Sequence, residues 1–348
     1  MAYISFQPHD HFNTLLYTGD GSGSDRTLTG VGFQPDWLWN KSRSNAYNHY
    51  IFDAVRGTNM ISSNTTGVQE DKSPQFSAFT SDGFTIRNDA GSLAINASGV
   101  TFANWCWKAG GGQGSSNTDG SINTTYTSVN TTAGFSISQY TGTGSAATVG
   151  HGLGAVPKVM IIKNLGQTVD WTVYHASIGA TKNLHLNTTD AEATSSAFFN
   201  DTTPTSSVFS ISSANGTNSS GQNLVAYCFA EKTGFSKFGS YVGNGNADGA
   251  FVYTGFKPAF FLFKKSSASG NDWGMFDNKR STFNEVDKGL KPNDSGAEYT
   301  ANDCDFLSNG VKMRSTGGDN NGSGATYIYM AFAEEPLVSS NGVPAVAR

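Results

Sequence analysis

The stretch Gly32–Ser42, GFQPDWLWNKS, decides the fold because it recurs twice further along the chain. Its counterparts are GAVPKVMIIKN at 154–164 and GFKPAFFLFKK at 255–265. In each copy a proline follows the glycine by three residues, and a lysine follows the proline by six, after an apolar run. Self-similarity of this kind indicates a repeat architecture, so we predict the same buried strand in three homologous units.

The match extends to both sides of this stretch. Each copy has an upstream tyrosine followed by x-Gly, at Tyr17, Tyr140 and Tyr241. Each closes on an aromatic residue 72, 72 and 74 residues after its proline, at Trp107, Phe229 and Phe332. The predicted segments are an N-terminal arm at 1–13, unit 1 at 14–110, a Gly/Ser/Thr/Asn-rich linker at 111–133, unit 2 at 134–233, unit 3 at 234–337 and a C-terminal tail at 338–348. Units 2 and 3 abut, so we expect them to pack as a pair and unit 1 to be more independent.

The composition predicts an all-β protein. Aromatic residues reach 12% and charged residues only 14%, below the usual ~25%. Gly/Asn/Asp turn signals separate short strand-like runs, and sustained helical periodicity is missing. Each unit has the size of one β-sandwich. We therefore predict three tandem antiparallel β-sandwiches, jelly-roll or lectin-like, with little helix. The alternative is one larger β-structure in which the repeats interleave.

Trp37 and Trp39 could form a stacking platform for sugars, or they could be core residues. Trp37 aligns with Val159 and Phe260, and Trp39 aligns with Ile161 and Leu262. Positions that accept any large apolar side chain are core positions, so we predict that both tryptophans are packed inside the protein.

The lysines that end the repeated stretch should mark where its strand leaves the core. They are Lys41, Lys163 and Lys264. The three cysteines, Cys106, Cys228 and Cys304, are widely spaced and odd in number, which favours buried free thiols over a disulfide framework or a zinc site.

Unit 1 carries a longer pattern: LYTGDGSGSDRTLTGVGFQPDWLWNKSRS, HYIFDAVRG, SSNTTG, FTSDGFTI and WCWKAG. This pattern resembles a repeat found in virion structural proteins of marine tailed phages, including phages of cyanobacteria and related ocean bacteria. Unit 2 keeps the order of these motifs but lacks D-x-x-R-G. Unit 3 keeps Asp277 and Arg280 but has Ser281 in place of the final glycine of D-x-x-R-G. The resemblance implies an assembly role as a fibre, tail or head-appendage component.

Two sets of residues are candidate sites within the units. Asp53 with Arg56, and Asp277 with Arg280, are spaced for structural ion pairs at a turn, with a ligand site as the alternative. One equivalent loop contains Tyr47, Asn48 and His49 in unit 1, and Asn271 and Asp272 in unit 3. Loops usually carry binding in such folds, so we propose these five residues as candidate ligand contacts.

Metal sites are conceivable at three places. His9 and His11 would project to the same side of an extended chain, and three copies could build a metal site on a trimer axis. The plainer alternative is a polar attachment arm. The oxygen-rich turns at Asp20 and Asp25, and from Asp319 onward, could hold calcium, although neither has the full EF-hand spacing. Otherwise no cofactor is expected.

Charge and motifs limit the function. The net charge is −5 with no basic run, so nucleic-acid binding lacks its electrostatic signature. The sequence contains no long apolar run and no GxSxG, HExxH or Walker motif, so we expect a soluble non-enzyme that does not insert into membranes.

The leading hypothesis is a virion protein made in the host bacterial cytoplasm. It would be a tail or fibre component, favoured as a homotrimer, that binds other virion proteins and a host surface glycan or protein. The alternatives are a head-decoration, head-fibre or tail-adaptor protein without receptor binding, an envelope-polysaccharide depolymerase, and a secreted lectin.

Overall fold

The protein is almost entirely β in the computed structural model, which describes residues 6–87 and 93–335 apart from the side chain of Asn302. Every pair of named strands in this part of the chain is antiparallel. The all-β prediction is therefore confirmed. Across these ranges no helix has the length and apolar character needed to cross a membrane. The predicted tail at 338–348 lies outside the described residues.

The strands follow one another in the three units as follows. Those of unit 1 are β1 (Phe12–Thr18), β2 (Arg26–Thr29), β3 (Trp37–Ser42), β4 (Tyr50–Asp53), β5 (Asn59–Met60), β6 (Glu70–Asp71), β7 (Phe76–Thr80), β8 (Gly83–Ile86) and β9 (Thr101–Trp107). Those of unit 2, with the segment before it, are β10 (Tyr126–Asn130), β11 (Phe135–Thr141), β12 (Ala147–Gly150), β13 (Val159–Asn164), β14 (Thr172–His175), β15 (Lys182–His185), β16 (Ala193–Thr194), β17 (Val208–Ile211) and β18 (Asn223–Phe229), with short helices α1 (Ser196–Phe199) and α2 (Asn215–Asn218). Those of unit 3 are β19 (Ser236–Val242), β20 (Phe251–Tyr253), β21 (Phe260–Lys265), β22 (Trp273–Asp277), β23 (Val286–Gly289), β24 (Tyr299–Leu307), β25 (Gly310–Met313) and β26 (Thr326–Phe332). A 3-10 turn at Pro8–Asp10 precedes β1.

The main sheet has the same strand order in all three units. Its first strand pairs with the closing strand, the closing strand with the strand after the proline, and that strand with the next: β1-β9-β3-β4, β11-β18-β13-β14 and β19-β26-β21-β22. The closing strand therefore lies against the post-proline strand in each unit. A second sheet accompanies each main sheet: β2-β8-β7, β12-β17 and β20-β25-β24-β23. The jelly-roll or lectin-like assignment stays a prediction.

The two faces of each main sheet bury different cores. In unit 1, Trp37, Trp39 and Trp105 face one apolar cluster, whereas Leu38 and Cys106 between them face another. This alternation is the two-residue period of a β-strand. The second cluster joins the main sheet to the second sheet, and units 2 and 3 have equivalent clusters of their own. The first cluster, which we call the central core, contains residues from all three units.

The central core corrects the expectation that unit 1 is more independent. Trp37 stacks on Tyr227 of unit 2 at 4.8 Å between ring centroids, and Trp107 meets Phe260 and Phe332 of unit 3 at 5.5 Å each. Trp37 and Trp39 are each 1% exposed, so the packing prediction is confirmed. These side chains are buried because the neighbouring units cover them.

The segment 111–133, predicted to be a linker, contains β10. This strand pairs with β11 and, together with β15 and β16 at the other edge, extends the main sheet of unit 2 to seven strands. Ser115 and Ile122 form further bridges, to Thr127 and Val149. The composition of the segment is typical of a flexible linker, but the backbone hydrogen bonds of the hairpin and the burial of Ile122 hold it against unit 2.

The Tyr-x-Gly motif ties the first strand of each unit to the turn before its closing strand. The tyrosine hydroxyl donates to a backbone carbonyl there: Tyr17 to Ile95, Tyr140 to Thr217 and Tyr241 to Asn320. The following glycine allows this close approach, since a Cβ on Gly142 would lie 2.3 Å from the Ser219 carbonyl oxygen. The same constraint holds at Gly19 and Gly243.

Candidate functional site

Asp53 and Arg56 lie where unit 1 contacts unit 2. Arg56 Nε is 2.6 Å from Asp53 Oδ2, and both side chains are buried. Tyr227, on the closing strand of unit 2, donates its hydroxyl to the same carboxylate at 2.6 Å. A buried carboxylate is tolerated when charge and hydrogen bonds both satisfy it, and here the next unit supplies one of the donors.

Asp277 and Arg280 repeat this arrangement where unit 3 contacts unit 1. Arg280 Nε is 2.5 Å from Asp277 Oδ2. Trp105, at the position equivalent to Tyr227, donates its indole N–H to Asp277 Oδ2 at 3.0 Å. The pairs that the sequence placed at a turn therefore also join neighbouring units.

Unit 2 lacks this ion pair and contacts unit 3 differently. The closing strand of unit 3 has Met330 where the other units have Trp105 and Tyr227. Methionine has no N–H or O–H to donate to a carboxylate. His175 takes the place of the aspartate and donates Nε2–H to the Tyr329 carbonyl at 3.1 Å. Burial lowers the pKa of His175 to about 4, so the ring is neutral at pH 7.

The three repeated lysines join the units in the opposite direction. Their side chains are fully buried, which corrects the expectation that they mark the edge of the core. Each ammonium group donates to a backbone carbonyl of another unit: Lys41 to Ser295 at 3.1 Å, Lys163 to Thr66 at 3.0 Å and Lys264 to Thr189 at 3.4 Å. Burial lowers the pKa of each lysine to about 8. With the aspartate and histidine contacts, these bonds close the three units into a ring.

The loop proposed for ligand binding forms a side-chain clasp in all three units. An asparagine side chain accepts a hydrogen bond from a backbone N–H of the loop and donates one to the side chain of the residue just before that N–H. The pairs are Asn64 with Asn48, Asn187 with Asp170, and Asn293 with Asp272. Much of the loop is therefore structural. The signal that sequence reasoning missed is the recurrence of NTT, NTT and NDS, whose third residue is also the lysine partner.

His49 is the clearest correction within this loop. Its side chain is wholly buried, and Nδ1 accepts from the Trp39 indole N–H at 2.9 Å. Nε2 has no hydrogen-bond partner, although the nearby backbone of Lys291 acts to raise the pKa of the ring. Burial, with a contribution from Lys41, lowers its pKa well below the ordinary value. His49 is therefore a packed core residue rather than an exposed ligand contact.

Beside this loop, unit 3 has a cleft of about 450 Å³. Its polar lining includes Asp272, Lys291, Asp303, Asp319 and Asn320, and its aromatic lining includes Tyr299. Of the five proposed residues, Asp272 lines the cleft, and Asn271 holds Asp319 through a hydrogen bond of 2.7 Å. Tyr47, Asn48 and His49 belong to the equivalent loop of unit 1 and do not join this cleft.

The carboxylates of the unit 3 cleft have different environments. Asp272 is buried in part, but hydrogen bonds of 2.6 Å from Lys291 and from Asn293 outweigh this burial and hold its pKa below the ordinary value. Burial raises the pKa of Asp303, which accepts from Asn320 Nδ2 at 2.7 Å. Asp319 is exposed at the rim. The cleft thus presents mainly hydrogen-bond acceptors.

Unit 2 has a smaller cleft of about 230 Å³ at the equivalent place. Asp170 stands at the position of Asp272, His185 at that of Lys291, and Gly216 at that of Asp319. Thr172 replaces Gly274, and the added side chain narrows the space. The cleft is therefore a repeated feature of the fold that differs in size and chemistry between units.

The third unit also exposes an aromatic pair. Phe251 and Tyr253 on β20 are 45% and 61% exposed. Unit 1 has Thr27 and Thr29 at these positions, and unit 2 has threonine and glycine. Because the strand pairs identically with its neighbour in each unit, this aromatic surface is a property of unit 3 and not of the repeat.

The candidate metal residues take other roles. His9 lies in the 3-10 turn and not on an extended chain, which corrects the expected geometry. His11 stacks on Phe6 at 4.6 Å, and its Nδ1 is 3.0 Å from Asn130 Nδ2. Residues 6–11 thus pack against the body of the protein. Across the described ranges, no three His, Cys, Asp or Glu side chains are grouped to hold a metal ion.

The proposed calcium turns are held together by their own hydrogen bonds. Asp20 accepts from the Ser22 N–H and from Asn96 Nδ2, each at 2.8 Å. Asp25 pairs with Arg87 at 3.0 Å. The three cysteines are buried free thiols, as predicted.

The comparisons with known proteins bear on the chain as a whole. No curated protein and no solved structure matches it. One family matches residues 7–336, a range that spans all three units and the segment between the first two. The chain belongs to this family, which is described as a domain of unknown function, DUF7483.

Proposed function

We propose that the protein is a structural component of a tailed-phage particle, a tail or fibre appendage that contacts the host cell surface. The observation that carries the proposal is the closed ring of three equivalent units around one central core. Fibre appendages are usually trimers, with three copies arranged around an axis. Here a single chain supplies three equivalent sectors, which suits a partner with three-fold symmetry.

Two features of unit 3 support contact with a second surface. One is the exposed pair Phe251 and Tyr253, and the other is the larger cleft. Neighbouring units of one ancestry would share such features if they served only to stabilise the fold. The aromatic pair is confined to unit 3, and the unit 3 cleft of about 450 Å³ exceeds the equivalent cleft of unit 2, about 230 Å³; these differences favour a recognition role for unit 3 on a scaffold built by all three units. The resemblance of the repeat to marine phage virion proteins supports the same reading.

Location on the particle tests the proposal. Intact virions from a culture that encodes the chain would be labelled with gold-coupled antibodies against the purified protein and viewed by electron microscopy. We expect label on the tail or its fibres, and we expect the purified protein to reduce phage adsorption to host cells. Label on the head with unchanged adsorption would favour the decoration reading. Virions that carry no label would overturn a virion role.

A further inference from the structure

The unit 3 cleft combines acceptor groups with an unpaired buried polar atom. Asn320 is 2% exposed and uses its Nδ2 on Asp303, while its Oδ1 has no hydrogen-bond partner. A buried acceptor left unpaired is unfavourable, so such an atom beside a cleft indicates a place for a donor from outside. Asp319 at the rim adds an exposed carboxylate.

The equivalent cleft of unit 2 shows the same feature with different residues. Thr172 is wholly buried, lines the cleft, and its Oγ1 has no hydrogen-bond partner. Asp170 contributes a carboxylate whose Oδ1 is held by Asn187. The His185 and Phe198 rings, 5.8 Å apart, form an aromatic side. Two clefts at equivalent positions thus share a carboxylate, an aromatic ring and an unpaired buried polar atom.

Unit 1 fills the equivalent positions with apolar side chains. Leu93 and Ile95 stand where unit 3 has Gly318 and Asn320, and Tyr50 stands in place of Gly274. All three belong to the core cluster of unit 1. The fold is therefore stable with this position filled, and the polar lining of units 2 and 3 is not required by packing.

We propose that the unit 3 cleft binds a saccharide. The volume of about 450 Å³ falls within the ~300–1,000 Å³ range of small-molecule sites. Sugar hydroxyls are donors that suit the Asp319 carboxylate and Asn320 Oδ1. The Tyr299 ring, with the Lys291 ammonium group over it at 5.7 Å from the ring centre, forms the aromatic side of the cleft. Lys291 is already paired with Asp272, and Asp294, Asp303 and Asp319 leave the lining acidic, so a cation is the competing ligand that the test must separate from a saccharide. The unit 2 cleft is lined by a single aspartate, Asp170, so the acidic character of the unit 3 cleft is not shared by both clefts.

This inference deepens the proposed function by naming the class of host-surface molecule that is bound. It would be tested on the full-length protein with a microarray of bacterial surface glycans, followed by calorimetry with the best-bound oligosaccharide. Ala297→Trp places a large ring in the cleft from an exposed position. Ala247→Trp, in another exposed loop of unit 3, is the matched control.

We expect the wild-type protein and Ala247→Trp to bind the same glycan, and Ala297→Trp to lose roughly tenfold or more in affinity. Asp319→Asn, which removes only a charge, should weaken binding less. Absence of glycan binding by the wild-type protein, or equal binding by Ala297→Trp, would overturn the proposal. Tight binding of spermidine or Ca²⁺ that Asp319→Asn abolishes would replace the saccharide with a cation.

The two proposals fail separately. Wild-type protein that adsorbs to host cells and blocks infection, with Ala297→Trp doing so equally well, would leave the attachment role in place and reject the cleft as its binding site. Saccharide binding that Ala297→Trp abolishes, combined with virions free of the protein, would leave the saccharide site in place and reject the virion role.

Discussion

At the scale of single residues, the three buried lysines are the least expected feature. A lysine after an apolar strand usually indicates the strand end, where the ammonium group reaches water. Here each ammonium group instead donates hydrogen bonds to backbone carbonyls, one of which belongs to another unit. Burial without a hydrogen-bonded carboxylate disfavours the charged form, which is why the pKa of each falls to about 8.

The lysine pKa values predict a pH dependence of stability. In the unfolded chain Lys264 keeps its proton to about pH 10.5, whereas in the folded protein it loses it near pH 8. Between these values the unfolded state binds more protons, so the contribution of Lys264 to stability rises with pH. We expect the free energy of unfolding of the wild type, minus that of Lys264→Met, to increase from pH 8 to pH 10, measured by urea denaturation.

The comparison of the wild type with Lys264→Met is needed because buried cysteines and tyrosines also lose protons in this pH range in the unfolded chain. Their contribution to stability changes with pH in the opposite direction. Burial raises the pKa of Cys106 and Tyr17, so their contributions to stability decline at high pH in both proteins. Lys265→Met, on the next residue of the same strand, is the control for loss of a lysine. A difference that falls or stays constant from pH 8 to pH 10 would contradict the prediction.

At the scale of elements, the turns that follow β4, β14 and β22 each contact the closing strand of the next unit, and the residues of each turn suit the residue on that strand. The aspartate–arginine turns of units 1 and 3 face Tyr227 and Trp105, which donate hydrogen bonds. The turn of unit 2 faces Met330 and has His175 instead. The sequence displays the loss of D-x-x-R from unit 2, but the reason lies about 150 residues away in unit 3.

This matching predicts a non-additive pair of substitutions. Arg56→Ile leaves the Asp53 carboxylate buried without its cation and should destabilise the protein by about 3–5 kcal/mol. Adding Asp53→His reproduces the unit 2 pair, removes the unpaired charge and should recover part of that loss. Urea unfolding followed by tryptophan fluorescence measures both variants. If the double variant were no more stable than Arg56→Ile, the ion pair would not be the source of the loss.

At the scale of the whole molecule, the three units share one central core. The largest wholly buried side chains of unit 1, among them Trp37, Trp39, Trp105 and Trp107, face the central core and are covered by units 2 and 3. A family match that spans all three units agrees with this arrangement. A chain of separate sandwiches would instead bury its tryptophans within each unit.

The shared core predicts that unit 1 does not fold alone. A fragment of residues 6–110 would expose four tryptophans to water, and burying one such side chain is worth several kcal/mol. We expect this fragment to show no cooperative thermal transition and weak near-ultraviolet circular dichroism, whereas residues 6–335 show both. A fragment that unfolds cooperatively as a monomer would contradict a single central core.

The candidate cleft could be predicted only in part. Asp272 and Asn271 were found because their loop recurs between units and lies near a repeated aromatic residue. Asp319 was predicted as part of a calcium turn and not as a neighbour of Asp272, and Tyr299 and Asp303 on β24 were not predicted as site residues. Their proximity follows from the strand order β20-β25-β24-β23, which a one-dimensional pattern does not specify.

The sequence by itself determined the three homologous units, their antiparallel strands, and the burial of Trp37 and Trp39, because alternation, turn residues and repeat alignment report on burial locally. Only the tertiary structure decided what covers those residues, where the lysine ammonium groups go, and why unit 2 lacks the ion pair. A strand pattern records that a face is buried but not against which partner. The partners here lie in other units, and closing the ring brings them together.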